Sequence, residues 1–228
     1  LKCIPMQKKV LITGASKGIG LALSRHFLAH NYEVIGTSRT GKIIEITHSS
    51  FTPIALDLSK TDSVANALKE LESLKVTFDI FINNAGIGPD LNYTEPEQDT
   101  YLKTFEVNTT GTTFFIEKMI SNITKEGKII IISSKMGSIE MCSSSCSVAY
   151  RMSKAALNMY SKILANKLNG FPKVAVIHPG WVRTMISGDN TSGRLSPEES
   201  ALGIFDFVIS DFDNSAFWDI ETQTHLPW

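Results

Sequence analysis

Thr13-Gly14-Ala15-Ser16-Lys17-Gly18-Ile19-Gly20 follows the short apolar run Lys9-Val10-Leu11-Ile12 and leads into Leu21 to His30, where Leu21, Leu23, Phe27 and Leu28 form an apolar helical face. A buried strand, a glycine turn and a helix therefore succeed one another within about twenty residues. Glycines permit a tight turn and a close approach of the backbone to a pyrophosphate. The start of the following helix aims amide hydrogens and a partial positive charge at that anion. The spacing is G-x3-G-x-G, which differs from the G-x-G-x-x-G of the general dinucleotide fingerprint. A glycine turn can also serve packing alone. Its place between strand and helix makes Gly14, Ser16, Lys17, Gly18, Ile19 and Gly20 a candidate phosphate cradle.

The same beat continues along the chain. Glu33 to Thr37, Phe51 to Leu56, Phe78 to Ile82, Gly127 to Ser133 and Lys173 to Ile177 read as further strands. Helices are expected over Ser59 to Leu74, with Ser59 as N-cap, over Glu97 to Ile120, and over Val148 to Leu168. Ser196 to Ile209 opens on Ser-Pro-Glu-Glu, where Ser caps and Pro suits the first turn. Gly41 to Ser50 fits either a short helix or a loop. The strands are continuous apolar runs, which implies burial on both faces, as in parallel sheets covered by helices. The expectation is an α/β fold: one Rossmann-type domain over residues 1–228, a doubly wound parallel sheet of about seven strands with helices on both faces.

Composition narrows the function classes. The 228 residues are 43% hydrophobic and 20% charged, and 22 Lys and Arg against 23 Asp and Glu leave a net charge of −1. No clustered basic face suggests nucleic acid. No apolar run approaches the roughly 20 residues of a membrane span. Leu1 to Lys9 has basic residues but no long apolar core, so a secretory leader is not expected there. The chain opens on Leu rather than Met, so its natural start is expected to differ. Cys3, Cys142 and Cys146 are odd in number, which suits a reducing, cytoplasmic setting. The C-x3-C pair has no His nearby, and no metal is expected.

Across roughly residues 8 to 184, the glycine turn, Asp57, Asn83-Asn84-Ala85-Gly86, Asn108, Ser134, Tyr150-x3-Lys154 and Pro179-Gly180-Trp181-Val182-Arg183-Thr184 agree in order and spacing with one family. The chain resembles the short-chain dehydrogenases/reductases. Within them it looks most like the sniffer/C-factor group, through Ser-Ser-Lys-Met-Gly-Ser-Ile, Tyr-Arg-Met-Ser-Lys-Ala-Ala-Leu-Asn, His-Pro-Gly-Trp-Val-Arg-Thr and the ending Leu226-Pro227-Trp228. The resemblance implies a NADP(H)-dependent oxidoreductase that reduces a small or medium carbonyl compound, and a homodimer or homotetramer built through the two longest helices, near 97–120 and 148–168. Apolar positions there, such as Leu157 and Leu164, would serve equally well as core. The alternative is a binding or signalling module that holds NADP with little turnover.

Carried over residue by residue, the resemblance makes Asn108, Ser134, Tyr150 and Lys154 the catalytic set. Tyr150 and Lys154 are four apart, so they share one helical face. The ammonium is expected to lower the phenol pKa from about 10 and make Tyr150 a general acid. Lys154 would also hydrogen-bond the nicotinamide ribose. Ser134, with Gly137 completing S-x-x-G, would hydrogen-bond the substrate carbonyl; Ser133 competes for that place. Asn108 matches the residue that kinks the long helix and holds a relay water on its backbone carbonyl. At the end of the second strand stand Thr37, Ser38 and Arg39 with no acid, and Lys17 adds a charge, so a ribose 2′-phosphate is expected in preference to a 2′-hydroxyl. Asp57 and Leu58 would meet the adenine ring. Asn84, Ala85 and Gly86 would line the adenosine ribose, with Asn83 supporting the sheet. Pro179, Gly180, Val182 and Thr184 would clasp the nicotinamide. Ser134 and Tyr150 are sixteen apart, more than many members show, and the extra residues of Met141 to Ser147 are expected to lengthen a loop at the mouth of the site. Met185 to Arg194 is expected to be a short substrate loop, near 185–195. Met136, Met141, Trp181 and Met185 are candidates to line an apolar pocket.

Overall fold

The computed structural model describes residues 7–186, 188 and 190–228. Cys3 and most of the N-terminal stretch weighed above lie outside the described residues, as do positions 187 and 189 of the expected substrate loop.

Eight strands form one sheet. They are β1 (Lys9–Ile12), β2 (Glu33–Ser38), β3 (Phe51–Ala55), β4 (Phe78–Asn83), β5 (Ile123–Ile132), β6 (Lys173–His178), β7 (Ala216–Asp219) and β8 (Thr224–His225), in the spatial order β3-β2-β1-β4-β5-β6-β7-β8. The first seven run parallel, and β8 closes the edge antiparallel to β7. The order reverses between β1 and β4, which opens a crevice at the carboxyl ends of those strands, where sheets of this kind bind ligands.

The continuous apolar strands are explained by burial on both faces. Val10 and Ile12 of β1 and Ile130 and Ile132 of β5 pack with α1 (Gly18–Ala29) and α6 (Pro197–Ile209). Leu11, Ile129 and Ile131 point the other way, among α2 (Thr61–Ser73), α4 (Thr112–Met119) and α5 (Val148–Leu168). Ile129, Ile130 and Ile131 are each 0% exposed, so neither face of β5 reaches solvent. The capping box at α6 forms in full: Ser196 Oγ accepts from the Glu199 amide and the Glu199 carboxylate accepts from the Ser196 amide.

The long helix expected over 97–120 is continuous but not uniform. α3 (Gln98–Phe105) passes through a π-helical turn, Glu106–Gly111, into α4, and Asn108 sits buried in that turn. Gly41 to Ser50 contains no helix. Two expectations shift. Ser59 is not the cap of α2, because its hydroxyl donates instead to the Asp57 carboxylate at 2.7 Å, and the helix begins at Thr61 behind an extended Lys60. Six of the about seven expected strands were located in the sequence; β7 and β8 were not, because each is short and is fixed by its neighbour, β7 by β6 and β8 by β7, rather than by a local signal.

Candidate active site

The glycine turn is held by the end of β4. Thr13 is fully buried, and its Oγ1 accepts from the amides of Asn84 and Ala85, both at 3.0 Å. The Asn84 side chain donates to the carbonyls of Thr13 and Gly14 at 2.9 and 3.2 Å. The glycines are required by this closeness. Gly14 takes φ +70°, and a Cβ on Gly20 would lie 2.2 Å from the Gly14 carbonyl oxygen. Gly20 is therefore a packing residue inside α1, while Gly14, Ser16, Lys17, Gly18 and Ile19 face a cleft of about 520 Å³. A Cβ on Gly18 would meet only the Thr184 side chain, no nearer than 3.6 Å, so the helix start lies open to that cleft.

The same cleft runs along the carboxyl ends of β2, β3 and β4. Ser38 and Arg39 line it from β2, Asp57 and Leu58 from β3, and Asn84, Ala85 and Gly86 from β4. Arg39 and Lys17 are exposed, and neither forms an ion pair among the described residues. Partial burial opposes the charge on Asp57, but hydrogen bonds from Ser59 and the nearby Lys60 and Arg39 overcome it and hold the carboxyl below its usual range. Asn83 ends β4, 0% exposed, as a sheet support.

A second cleft, of about 490 Å³, adjoins the first, and Tyr150, Ser133, Pro179 and Thr184 line both. Tyr150 stands in the first turn of α5 and Lys154 one turn later, with the ammonium 5.7 Å from the phenol ring centre. Lys154 is 3% exposed, and its Nζ donates to the Ile132 carbonyl at the end of β5, at 3.1 Å. Gly86 stands between Lys154 and Asn108: a Cβ there would lie 3.5 Å from Lys154 Nζ and 3.4 Å from Asn108 Oδ1. Asn108 lines neither cleft. Its side chain accepts from the Ile87 amide and donates to the Ile87 carbonyl, both at 2.8 Å, and donates to Ser153 Oγ at 3.1 Å, tying the strand-end loop to α5.

Ser133 and Ser134 are separated by their partners. The Ser133 hydroxyl donates to Asn158 Oδ1 at 2.6 Å, which commits its proton to α5. Ser134 Oγ accepts from the Met136 amide at 3.1 Å, and its hydroxyl faces that of Tyr150 at the second cleft. Gly180 and Val182 line the second cleft with Met136 and Trp181.

The electrostatics differ from the sequence expectation. Burial pushes the Tyr150 hydroxyl up to about 12, opposed by the Ser134 hydroxyl and reinforced by the Asp90 charge. Burial brings Lys154 down to about 8. Desolvation disfavours both charged forms, and here it outweighs the acidifying effect expected from the ammonium. The other correction concerns Met141 to Ser147. None of these residues lines either cleft. Ser138 Oγ donates to the Trp228 carbonyl and accepts from the Met141 amide, and the Glu140 amide also reaches the Trp228 carbonyl, which turns the stretch toward the C-terminus. Met185 lines the first cleft and Ile186 both. Sequence reasoning missed Leu91, Lys135 and His178 in the second cleft and Lys103 in the first; Lys135 and His178 stand inside the family-like runs at 133–139 and 178–184, which could have flagged them, whereas Leu91 and Lys103 reach their clefts only through the fold. Burial holds His178 well below the usual imidazole range.

With the geometry in hand, comparisons with known proteins are specific. The short chain dehydrogenase family model matches residues 8–194. A short-chain dehydrogenase of Penicillium roqueforti is 31% identical over 215 residues, 84% of each chain. An uncharacterized oxidoreductase of Schizosaccharomyces pombe is 32% identical over 186 residues, 79% of this chain; the chain spans 63% of that relative's length. Among solved structures, the carbonyl reductase Sniffer of Drosophila melanogaster superposes with a TM-score of 0.87 at 25% identity, covering 97% of this chain and all of that one. A short-chain dehydrogenase/reductase from Burkholderia multivorans with bound NADP gives 0.85 at 27% identity over the same shares.

The Thr13 junction can be tested directly. Thr13→Val keeps the side-chain shape and removes the acceptor of two amides. It is expected to lower unfolding stability by about 1–3 kcal/mol, read from urea denaturation, and a change below about 0.5 kcal/mol would show that the two amides find other partners.

Proposed function

Since this chain belongs to the short chain dehydrogenase family, we propose that it is an NADPH-dependent carbonyl reductase with Tyr150 as its general acid. The observation that carries the reading is the meeting of the two clefts at Tyr150, with Ser134 on one side and Lys154 on the other. The first cleft fits a phosphorylated dinucleotide: it offers an open helix start at Gly18, two uncommitted cations at Lys17 and Arg39, and no acid at the end of β2. NADP and NADPH bound to the structural relatives from Burkholderia multivorans and chicken fatty liver support the same cofactor here.

When bound, the reduced nicotinamide supplies the hydride. Lys17 and Arg39 would hold the 2′-phosphate, and the amides at the start of α1 the pyrophosphate. Asp57 and Leu58 would meet the adenine, Asn84 to Gly86 the adenosine ribose, and Pro179, Gly180, Val182 and Thr184 the nicotinamide. The Ser134 hydroxyl would hydrogen-bond the carbonyl oxygen and orient it beside Tyr150. Tyr150, protonated at neutral pH, gives its proton to that oxygen as charge develops there. Lys154 then faces the phenolate left behind and, through its ribose contact, ties proton transfer to a filled cleft. Asn108 sets the geometry of the strand-end loop beside Lys154, and its backbone carbonyl is the proposed seat of a relay water. Leu91, Met136, Trp181 and Ile186 give the second cleft apolar walls suited to a small or medium ketone, aldehyde or quinone.

A second copy of the chain is the proposed partner. Leu157 and Leu164 belong to the core, but Met152, Met159 and Ile163 on α5 and Leu102 and Phe114 on α3 and α4 are exposed at 48–64%. Met152, Met159 and Ile163 are seven and four apart and so share one uncovered apolar face of α5, to which Leu102 and Phe114 add one exposed apolar residue each from α3 and α4.

Tyr150→Phe is expected to lower carbonyl reduction by about 10²- to 10⁴-fold while NADPH still binds, followed by loss of reduced-ring absorbance across a panel of aldehydes, ketones and quinones. Arg39→Ala should weaken NADPH by about 10- to 100-fold, the worth of one or two charge-assisted hydrogen bonds, and leave NADH nearly unchanged in a fluorescence titration; equal losses would remove the 2′-phosphate assignment. Light scattering should give twice the chain mass for the wild type and the monomer mass for Met159→Glu.

A further inference from the structure

Asp90 is an acid that the reading above leaves without a task. It lies in the loop between β4 and α3, is 2% exposed, and has one carboxylate oxygen, Oδ1, with no partner among the described residues. Its other oxygen, Oδ2, accepts the backbone amide of Tyr150 at 3.2 Å. The start of α5 has no cap of its own: Ser147 takes a left-handed conformation and its side chain makes no capping bond. Ser147 instead donates its hydroxyl to the Leu91 carbonyl at 2.8 Å and its amide to the Tyr93 carbonyl at 2.9 Å. Three successive bonds from one loop therefore grip the first turn of α5. Gly88 allows the grip to be this tight, since a Cβ there would lie 3.1 Å from the Tyr150 ring and 2.7 Å from Leu91.

We propose that Asp90 is a positioning residue for Tyr150: its buried carboxylate caps α5 from a separate loop, fixes the backbone that carries the phenol, and sets a negative charge behind it. The inference rests on Tyr150 being the proton donor. A carboxylate at a helix N-terminus meets the positive end of the helix dipole, an attraction that adds to the hydrogen bond in holding the first turn in place. That charge in turn opposes a second negative charge on the phenol, in keeping with the direction in which Asp90 moves Tyr150.

Among the described residues, the other ionisable groups that line the two clefts are cations or neutral, apart from Asp57. Lys154 lies one turn on along α5, Lys135 and His178 lie on the second cleft, and Lys17 and Lys103 lie on the first. Asp57, the acid of the first cleft, sits at the end of β3, three strands across from β4 in the sheet order. Asp90 is thus the acid placed to hold the proton on Tyr150 until substrate arrives.

Asp90→Asn and Asp90→Ala separate the two contributions. Asn keeps an acceptor for the Tyr150 amide and removes the charge; Ala removes both. In Asp90→Asn, the Tyr150 ring-carbon resonance (Cζ labelled with carbon-13 and assigned with Tyr150→Phe) should titrate at lower pH than in the wild type, by roughly half to one pH unit. The high-pH loss of kcat/KM for carbonyl reduction should move down with it. NADPH affinity and the unfolding temperature should stay near wild type. In Asp90→Ala, kcat should fall by about 10-fold or more, with NADPH affinity changed less than about 2-fold, the mark of a misplaced donor rather than a damaged cofactor cleft. Superimposable Tyr150 titrations in wild type and Asp90→Asn, or losses in both variants that follow NADPH affinity alone, would overturn the inference. The resonance titration reads the charge effect without any turnover, so a failure of the reductase reading, seen as a wild type inert toward all carbonyls, is distinguishable from a failure of the Asp90 assignment.

Discussion

A lysine ammonium buried to 3% exposure and bonded to the last carbonyl of β5 is the contact from which the rest of the site takes its position. An unpaired charge in that place would be strongly unfavourable. The Ile132 carbonyl relieves part of the cost, and it can do so only because β5 ends level with the first turns of α5. That level is set by register. Ile130 pairs with Ile82 of β4 and with Ala175 of β6, so three strands reach one rim together. The glycine turn after β1 is bound to the same rim through Thr13 and the amides that follow β4. Cradle, phenol and ammonium are thus consequences of one parallel register.

Much of this was legible in the sequence, for reasons that differ by element. β1, α5 and α6 were readable because their signals are local: an apolar run, a long amphipathic period and a capping box. The glycine turn was readable because its backbone demands glycine: Gly14 takes a left-handed φ of +70°, and at Gly20 a Cβ would stand 2.2 Å from the Gly14 carbonyl oxygen. Features that depend on which partner a side chain takes in the fold were not readable. Ser59 looked like a helix cap, but Asp57 two residues before it takes the hydroxyl. Met141 to Ser147 looked like a wall of the site, but the Trp228 carbonyl, nearly ninety residues away in the chain, draws the preceding turn elsewhere. Leu157 and Leu164 could have faced a partner or the core, and only the packing of α5 on β5 and β6 decides for the core.

The charge on the site was also beyond the sequence. Spacing puts Tyr150 and Lys154 on one helical face, and from that alone an acidified phenol follows. It does not reveal that both groups are almost wholly withdrawn from water. Burial acts on each before they act on each other, raising the phenol and lowering the ammonium. At neutral pH the phenol therefore keeps its proton, while the ammonium, with a pKa of about 8, is still mostly charged.

A proton donor has to satisfy two opposed demands: it must be loaded when the substrate arrives, and it must release its proton as charge grows on the carbonyl oxygen. Groups that serve one demand hinder the other, so they are best placed on different sides of the donor. Burial and the Asp90 charge, behind the helix start, favour the neutral phenol. Lys154 and Ser134, on the cleft side, would favour the oxyanions of the proposed transfer. Filling the cleft leaves the Asp90 contribution in place, because Asp90 touches neither cleft and its surroundings are protein. The loop that carries Asp90 follows directly from the strand end that holds the glycine turn. The part of the chain that would bind the dinucleotide and the part that keeps the acid loaded are therefore one continuous segment, and a shift in either is felt at Tyr150.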